Sequence, residues 1–176
     1  MTLDIKKVVR GRARAISSAC ILLAVVILLL LLPLLPPSLV VSSRGKVLYE
    51  KVIASTECEV GFRHSVNKGL IREVYRLDPQ NKLITLEEGY FQSYGAGMID
   101  TIYETADMNF RQEGDFYILD FKPEWKASIG YIGGNIAGHV FKYGDDTLEI
   151  GKLRPKQPFS ISISRRSILN RLLRLT

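Results

Sequence analysis

The feature that most constrains this 176-residue chain is the stretch Leu70 to Gln92, where two runs rich in branched and aromatic residues flank Asp78-Pro79-Gln80-Asn81. Asp at the first position and Pro at the second are the residues a type I turn selects, because the Asp side chain bonds nearby backbone amides and Pro pre-sets φ. Leu70 to Leu77 and Leu83 to Gln92 therefore read as the arms of a β-hairpin. Similar signals recur along the chain: Lys46 to Ala54, Thr56 to Val66, Thr101 to Glu104, Asp115 to Phe121, Ile129 to Ile132, Gly138 to Tyr143, Thr147 to Leu153 and Pro158 to Ser164. They are separated by breaks such as Glu113-Gly114-Asp115, Lys122-Pro123-Glu124, Gly144-Asp145-Asp146 and Arg154-Pro155. Short strands at this spacing, with no crossover helix between them, predict an all-β domain, a single antiparallel β-sandwich or small barrel over 46–164.

Alternation along the strand before the hairpin puts Cys58, Val60, Phe62, His64 and Val66 on one face and Glu57, Glu59, Gly61, Arg63 and Ser65 on the other. His64 is thus expected to point inward. Glu73 shares a face with Ile71, Tyr75 and Leu77, which is otherwise apolar, so two ionisable groups are expected in one interior. Buried charge needs a partner, and a His64–Glu73 contact would satisfy both. Beyond the hairpin, Gly95 and Gly97 flank Ala96, a spacing that marks a bulge, a positive φ or a close backbone approach.

The words His64-Ser65-Val66, Glu73 before the aromatic Tyr75, and Ser93-Tyr94-Gly95-Ala96-Gly97 carry a resemblance. Between Cys58 and Asp100 the chain resembles the domain of unknown function 1850 family of small extracytoplasmic prokaryotic proteins. It departs from the family pattern at Gly69-Leu70-Ile71, where Thr-Pro-Val is common, and at Met98-Ile99, which replaces Leu-Pro. The resemblance gathers His64, Ser65, Glu73, Ser93, Tyr94, Gly95 and Gly97 into one candidate binding site. It implies an accessory protein found alongside TAXI-type tripartite (TRAP) transporters, and it supplies no catalytic residue.

The first fourteen residues hold Lys6, Lys7, Arg10, Arg12 and Arg14 against Asp4, and no charge follows until Arg44. Within that gap Ile16 to Leu35 is nearly all Leu, Ile, Val and Ala, about the 20 residues a bilayer core requires. The expected order is a basic cytoplasmic tail (1–14), one transmembrane helix (15–35), a linker (36–45) and an extracytoplasmic β domain in a cell membrane. A cleaved signal peptide ending near Val41-Ser42-Ser43 is the alternative. Removing 5 of 24 basic and 1 of 18 acidic residues with the tail leaves 19 against 17, a balance of +2. The pI near 9.4 therefore reports orientation and not a nucleic-acid partner.

Cys20 falls in the apolar run and Cys58 on a strand face, so no disulfide closes within the outer domain. The histidines His64 and His139 have no Cys or carboxylate cluster at ligand spacing, so neither a metal nor a cofactor is expected. No G-x-S-x-G elbow occurs, and Ser65 would face away from His64 in a strand. The tail 165–176 reads as a basic amphipathic helix with Ile168, Leu169, Leu172, Leu173 and Leu175 on one side. That side is received by the sheet, by the membrane surface or by a partner's helices. The reading that follows is a non-enzymatic, membrane-anchored accessory or binding module whose partners are transporter membrane subunits or a solute-binding protein. The alternatives are an extracytoplasmic enzyme using His64 and Glu73 as acid and base, and a structural envelope protein.

Overall fold

A computed structural model of the chain describes residues 20–33, 35–66, 68–92, 109–133, 137–167 and 169. The β unit runs from Pro37 to Ser164. Its strands are β1 (Ser38–Ser43), β2 (Lys46–Val52), β3 (Glu57–Arg63), β4 (Leu70–Asp78), β5 (Leu83–Phe91), β6 (Phe110–Glu113), β7 (Phe116–Asp120), β8 (Ser128–Tyr131), β9 (Val140–Tyr143), β10 (Asp146–Leu148) and β11 (Phe159–Ser164). They form a four-stranded sheet, β2-β1-β11-β8, and a seven-stranded sheet, β10-β9-β3-β4-β5-β7-β6. Neighbouring strands pair antiparallel.

Leu39, Val41, Phe159, Ile161 and Ile163 from the smaller sheet meet Cys58, Val60, Tyr75, Leu77, Ile84, Phe141 and Tyr143 from the larger one in a single buried cluster. Two sheets with open edges packed on a shared core make a sandwich, which decides between the two predicted architectures. The far edges are tied as well: Asp146 accepts from the Tyr49 hydroxyl at 2.7 Å and the Lys51 ammonium at 2.8 Å. The Tyr143 hydroxyl accepts from the amides of Ala54 and Ser55 and fixes the crossing between β2 and β3.

The central hairpin forms where expected. Asp78 Oδ1 accepts the amides of Gln80 and Asn81, each at 3.0 Å, and Lys82 takes a positive φ of 58° before β5 begins. The β1–β2 connection is tighter, with positive φ at both Arg44 (47°) and Gly45 (77°), the backbone that a two-residue primed turn demands.

Two expectations are corrected. Residues 36–45 are not a linker, because Leu39-Val40-Val41 is buried on both faces and β1 is hydrogen-bonded on both sides, by β2 and β11. An apolar run adjoining a longer apolar run hides its own strand. The strand expected over Thr147 to Leu153 stops at Leu148, and Ile150–Leu153 makes a short helix that buries Ile150. The strand β6 had no expectation of its own. The expected strand Thr101 to Glu104 lies outside the described residues, as do residues 1–19 and most of the tail at 168 and 170–176.

Of the expected span, residues 20–31 are helical. Among the described residues no helix is long and apolar enough to cross a membrane. Most side chains of that helical stretch are nonetheless exposed and apolar, from Ile21 at 65% to Leu31 at 54%.

Cys58 offers a direct check on the core. Its thiol is 2% exposed, and burial, helped by the charge of Glu59, pushes its pKa up to about 12. The thiolate is the reactive form, so in a Cys20→Ser variant Cys58 should resist maleimide in the folded chain and label only in denaturant. Rapid labelling under native conditions would contradict this packing.

Candidate functional site

Strand β4 crosses the centre of the larger sheet, and its inward residues are Ile71, Glu73, Tyr75 and Leu77, as alternation requires. Glu73 is the one carboxylate among them. It is half-buried and does not stand alone: its Oε2 accepts the Tyr75 hydroxyl at 2.8 Å and also the hydroxyl of Tyr131. The two phenols are themselves 2.6 Å apart. Tyr131 belongs to β8, an edge strand of the other sheet, so this three-membered polar cluster joins the two layers of the sandwich. The second carboxylate oxygen, Oε1, accepts no hydrogen bond among the described residues.

Burial, and then the charge of Glu73, raises the pKa of both Tyr131 and Tyr75 far above the usual phenol value. Both hydroxyls therefore remain protonated donors, which suits holding a carboxylate and not nucleophilic attack. Beside them lies a histidine. His139, 5% exposed, has its ring centroid 5.1 Å from Phe62, 5.5 Å from Tyr131 and 5.2 Å from Phe159. Among the described residues its imidazole has these ring contacts and no hydrogen bond.

The expected inward histidine was the other one. Strand β3 ends at Arg63, and His64 opens a turn: its amide donates to the Gly69 carbonyl at 2.9 Å and its carbonyl accepts from Lys68. The His64 Nδ1 accepts the Val66 amide at 3.3 Å, so the ring is used locally. Val66, also expected inward, is 68% exposed. Glu73 sits opposite Val60, four residues from His64, a separation of about 13 Å at ~3.3 Å per residue. The His64–Glu73 contact is thus corrected, and with it the acid–base pair of the enzyme alternative. Ser65 is exposed in the same turn, where its carbonyl accepts from the Lys68 ammonium. Ser93, Tyr94, Gly95 and Gly97 lie outside the described residues.

Of the expected site residues that are described, His64, Ser65 and Glu73, Glu73 alone reaches the interior cluster, which Tyr75, Tyr131 and His139 share. A signal for His139 was available. It shares parity with Phe141 and Tyr143, both buried, while Val140 and Lys142 take the other face.

Because burial lowers the pKa of His139, the folded chain resists a proton that the unfolded chain accepts. Its contribution to stability should be full above the ordinary histidine value of about 6.5 and be lost as pH falls below it towards the lower folded value. Urea midpoints measured down this pH range should therefore decline more steeply for the native chain than for a His139→Leu variant. Equal slopes would mean that His139 is accessible to protons in the fold.

Among the described residues no group of three or more His, Cys, Asp or Glu could hold a metal ion. A family model described as Domain of unknown function (DUF1850) matches residues 58–150, more than half of the chain, a range that includes Glu73, Tyr75, Tyr131 and His139. No curated protein and no solved structure matches the chain.

Proposed function

The chain belongs to the Domain of unknown function (DUF1850) family, and from that premise we propose that it is a membrane-tethered, extracytoplasmic binding module that acts as an accessory to a TAXI-type TRAP transporter and is not an enzyme. The observation that carries the tether is the helical stretch 20–31, most of whose Leu, Ile and Val side chains are exposed and which precedes β1 by only a few residues. Apolar side chains exposed together in this way need an apolar surrounding. The basic residues before the stretch orient the tether with the sandwich outside. The transporter association is supported by the family resemblance alone.

Two readouts on the full chain test this. A phosphatase reporter fused after Thr176 should be active, since it requires an extracytoplasmic position, and the chain should sediment with membranes. In mild detergent it should co-purify with transporter membrane subunits or a solute-binding protein. A chain in the soluble fraction, or a reporter active only when it is a cytoplasmic enzyme, would overturn the tether. Membrane localisation without transporter subunits would overturn the accessory role.

A further inference from the structure

We propose that the outer face of the seven-stranded sheet holds a binding site for a small organic carboxylate, centred on Gly61; this is independent of the tether. Gly61 lies inside β3, a strand paired on both sides, opposite Arg72 on β4 and Val140 on β9. Glycine weakens a strand interior, so its presence calls for a reason. The fold does not supply one. Gly61 has no positive φ, and a Cβ placed there would come no closer than 3.9 Å to any atom, the carbonyls of Ile71 and Val140. A side chain would fit; what it would fill is a groove of about 310 Å³.

The walls of that groove state what it takes. Leu70, Ala137 and Val140 give an apolar flank, and the charged members are Arg63, Arg72 and Lys142 against Glu59 alone. Arg72 is already held, its guanidinium 3.8 Å above the Tyr90 ring and 3.8 Å from Glu59. The Lys142 ammonium forms no ion pair or hydrogen bond among the described residues, although Lys142 stands opposite Glu59 in the β3–β9 register. A concavity with an excess of cations, one ammonium uncommitted and an apolar side fits a carboxylate on a compact apolar body. The volume lies at the small end of ligand pockets, which run from ~300 Å³ upward. An adjoining hollow of about 280 Å³ shares Glu59, Arg72 and Lys142, so the same cations are reachable from two sides.

The experiment uses the full chain in detergent micelles and ligand-observed NMR, with benzoate as probe and uncharged benzamide as control. Benzoate should bind in the millimolar range and benzamide should not. Gly61→Val should weaken benzoate roughly tenfold or more by filling the groove, with an unchanged or raised melting midpoint. Lys142→Gln, on the exposed face, should weaken it too and settles the matter if Gly61→Val fails to fold. Absence of benzoate binding, equal binding of benzamide, or undiminished binding by Lys142→Gln and folded Gly61→Val would overturn the proposal. So would a short peptide binding through its terminal carboxylate where benzoate does not, which would make the groove a seat for a partner's chain end.

Discussion

Replacing Tyr131 by Ala should destabilise the sandwich by about 3–5 kcal/mol, the range for deleting a packed aromatic side chain. The ring lies parallel to Phe159 at 4.9 Å and meets Phe62 edge-on at 6.0 Å, so three strands lose a shared contact. The hydroxyl is a second loss, because Glu73 Oε2 would keep only Tyr75 as a donor. Tyr131→Phe separates the two effects and should cost about 1–3 kcal/mol, the penalty of leaving a half-buried carboxylate short of a donor. Urea unfolding at neutral pH reads both, with the denaturant slope unchanged if only the native state is affected. A loss below about 1 kcal/mol for Tyr131→Ala would place the ring outside the structural core, contrary to its contacts.

Gly133→Ala should cost about 3 kcal/mol or more, at or beyond the upper end of overpacking. A Cβ at Gly133 would lie 2.3 Å from the Gln157 carbonyl oxygen and 2.7 Å from its nitrogen. Both are backbone atoms in the segment that leads into β11, which pairs with β8, so neither chain can yield without disturbing that pairing. Gly61→Ala is the opposite case, with its nearest contacts at 3.9 Å. Thermal midpoints of the two variants should therefore diverge, Gly133→Ala falling by several degrees or more and Gly61→Ala hardly moving. A Gly133→Ala chain with the native midpoint would show that the close approach to Gln157 does not occur.

Local patterns made the larger sheet legible. Cys58, Val60 and Phe62 against Glu57, Glu59 and Arg63 is a period-two pattern that burial reproduces, and the Asp78 turn carries its own chemistry. Alternation failed where the chain stopped being a strand. Continuing it through His64 and Val66 assumed extended backbone past Arg63, whereas the chain turns there to reach β4. Composition hid β1, since Leu39-Val40-Val41 continues the apolar character of the residues before it and only long-range pairing with β11 distinguishes a core strand from the end of a tether. Half of the site was visible: Glu73 stood out as a carboxylate on an apolar face. Its partner did not, because Tyr131 lies 58 residues away on the other sheet and no local pattern reports which strands of a sandwich face each other.

The cross-sheet union of Glu73 and Tyr131 is tested most directly by a double-mutant cycle with Tyr131→Phe and Glu73→Gln, read by equilibrium unfolding of the full chain. The two residues share one hydrogen bond, and Tyr75 touches both, so the losses should not add. The expected coupling is about 0.5–3 kcal/mol, the double variant being less damaged than the sum of the single ones. Losses that add to within roughly 0.3–0.5 kcal/mol would mean that the carboxylate and the phenol act independently, and the polar cluster would not be the unit that joins the two sheets.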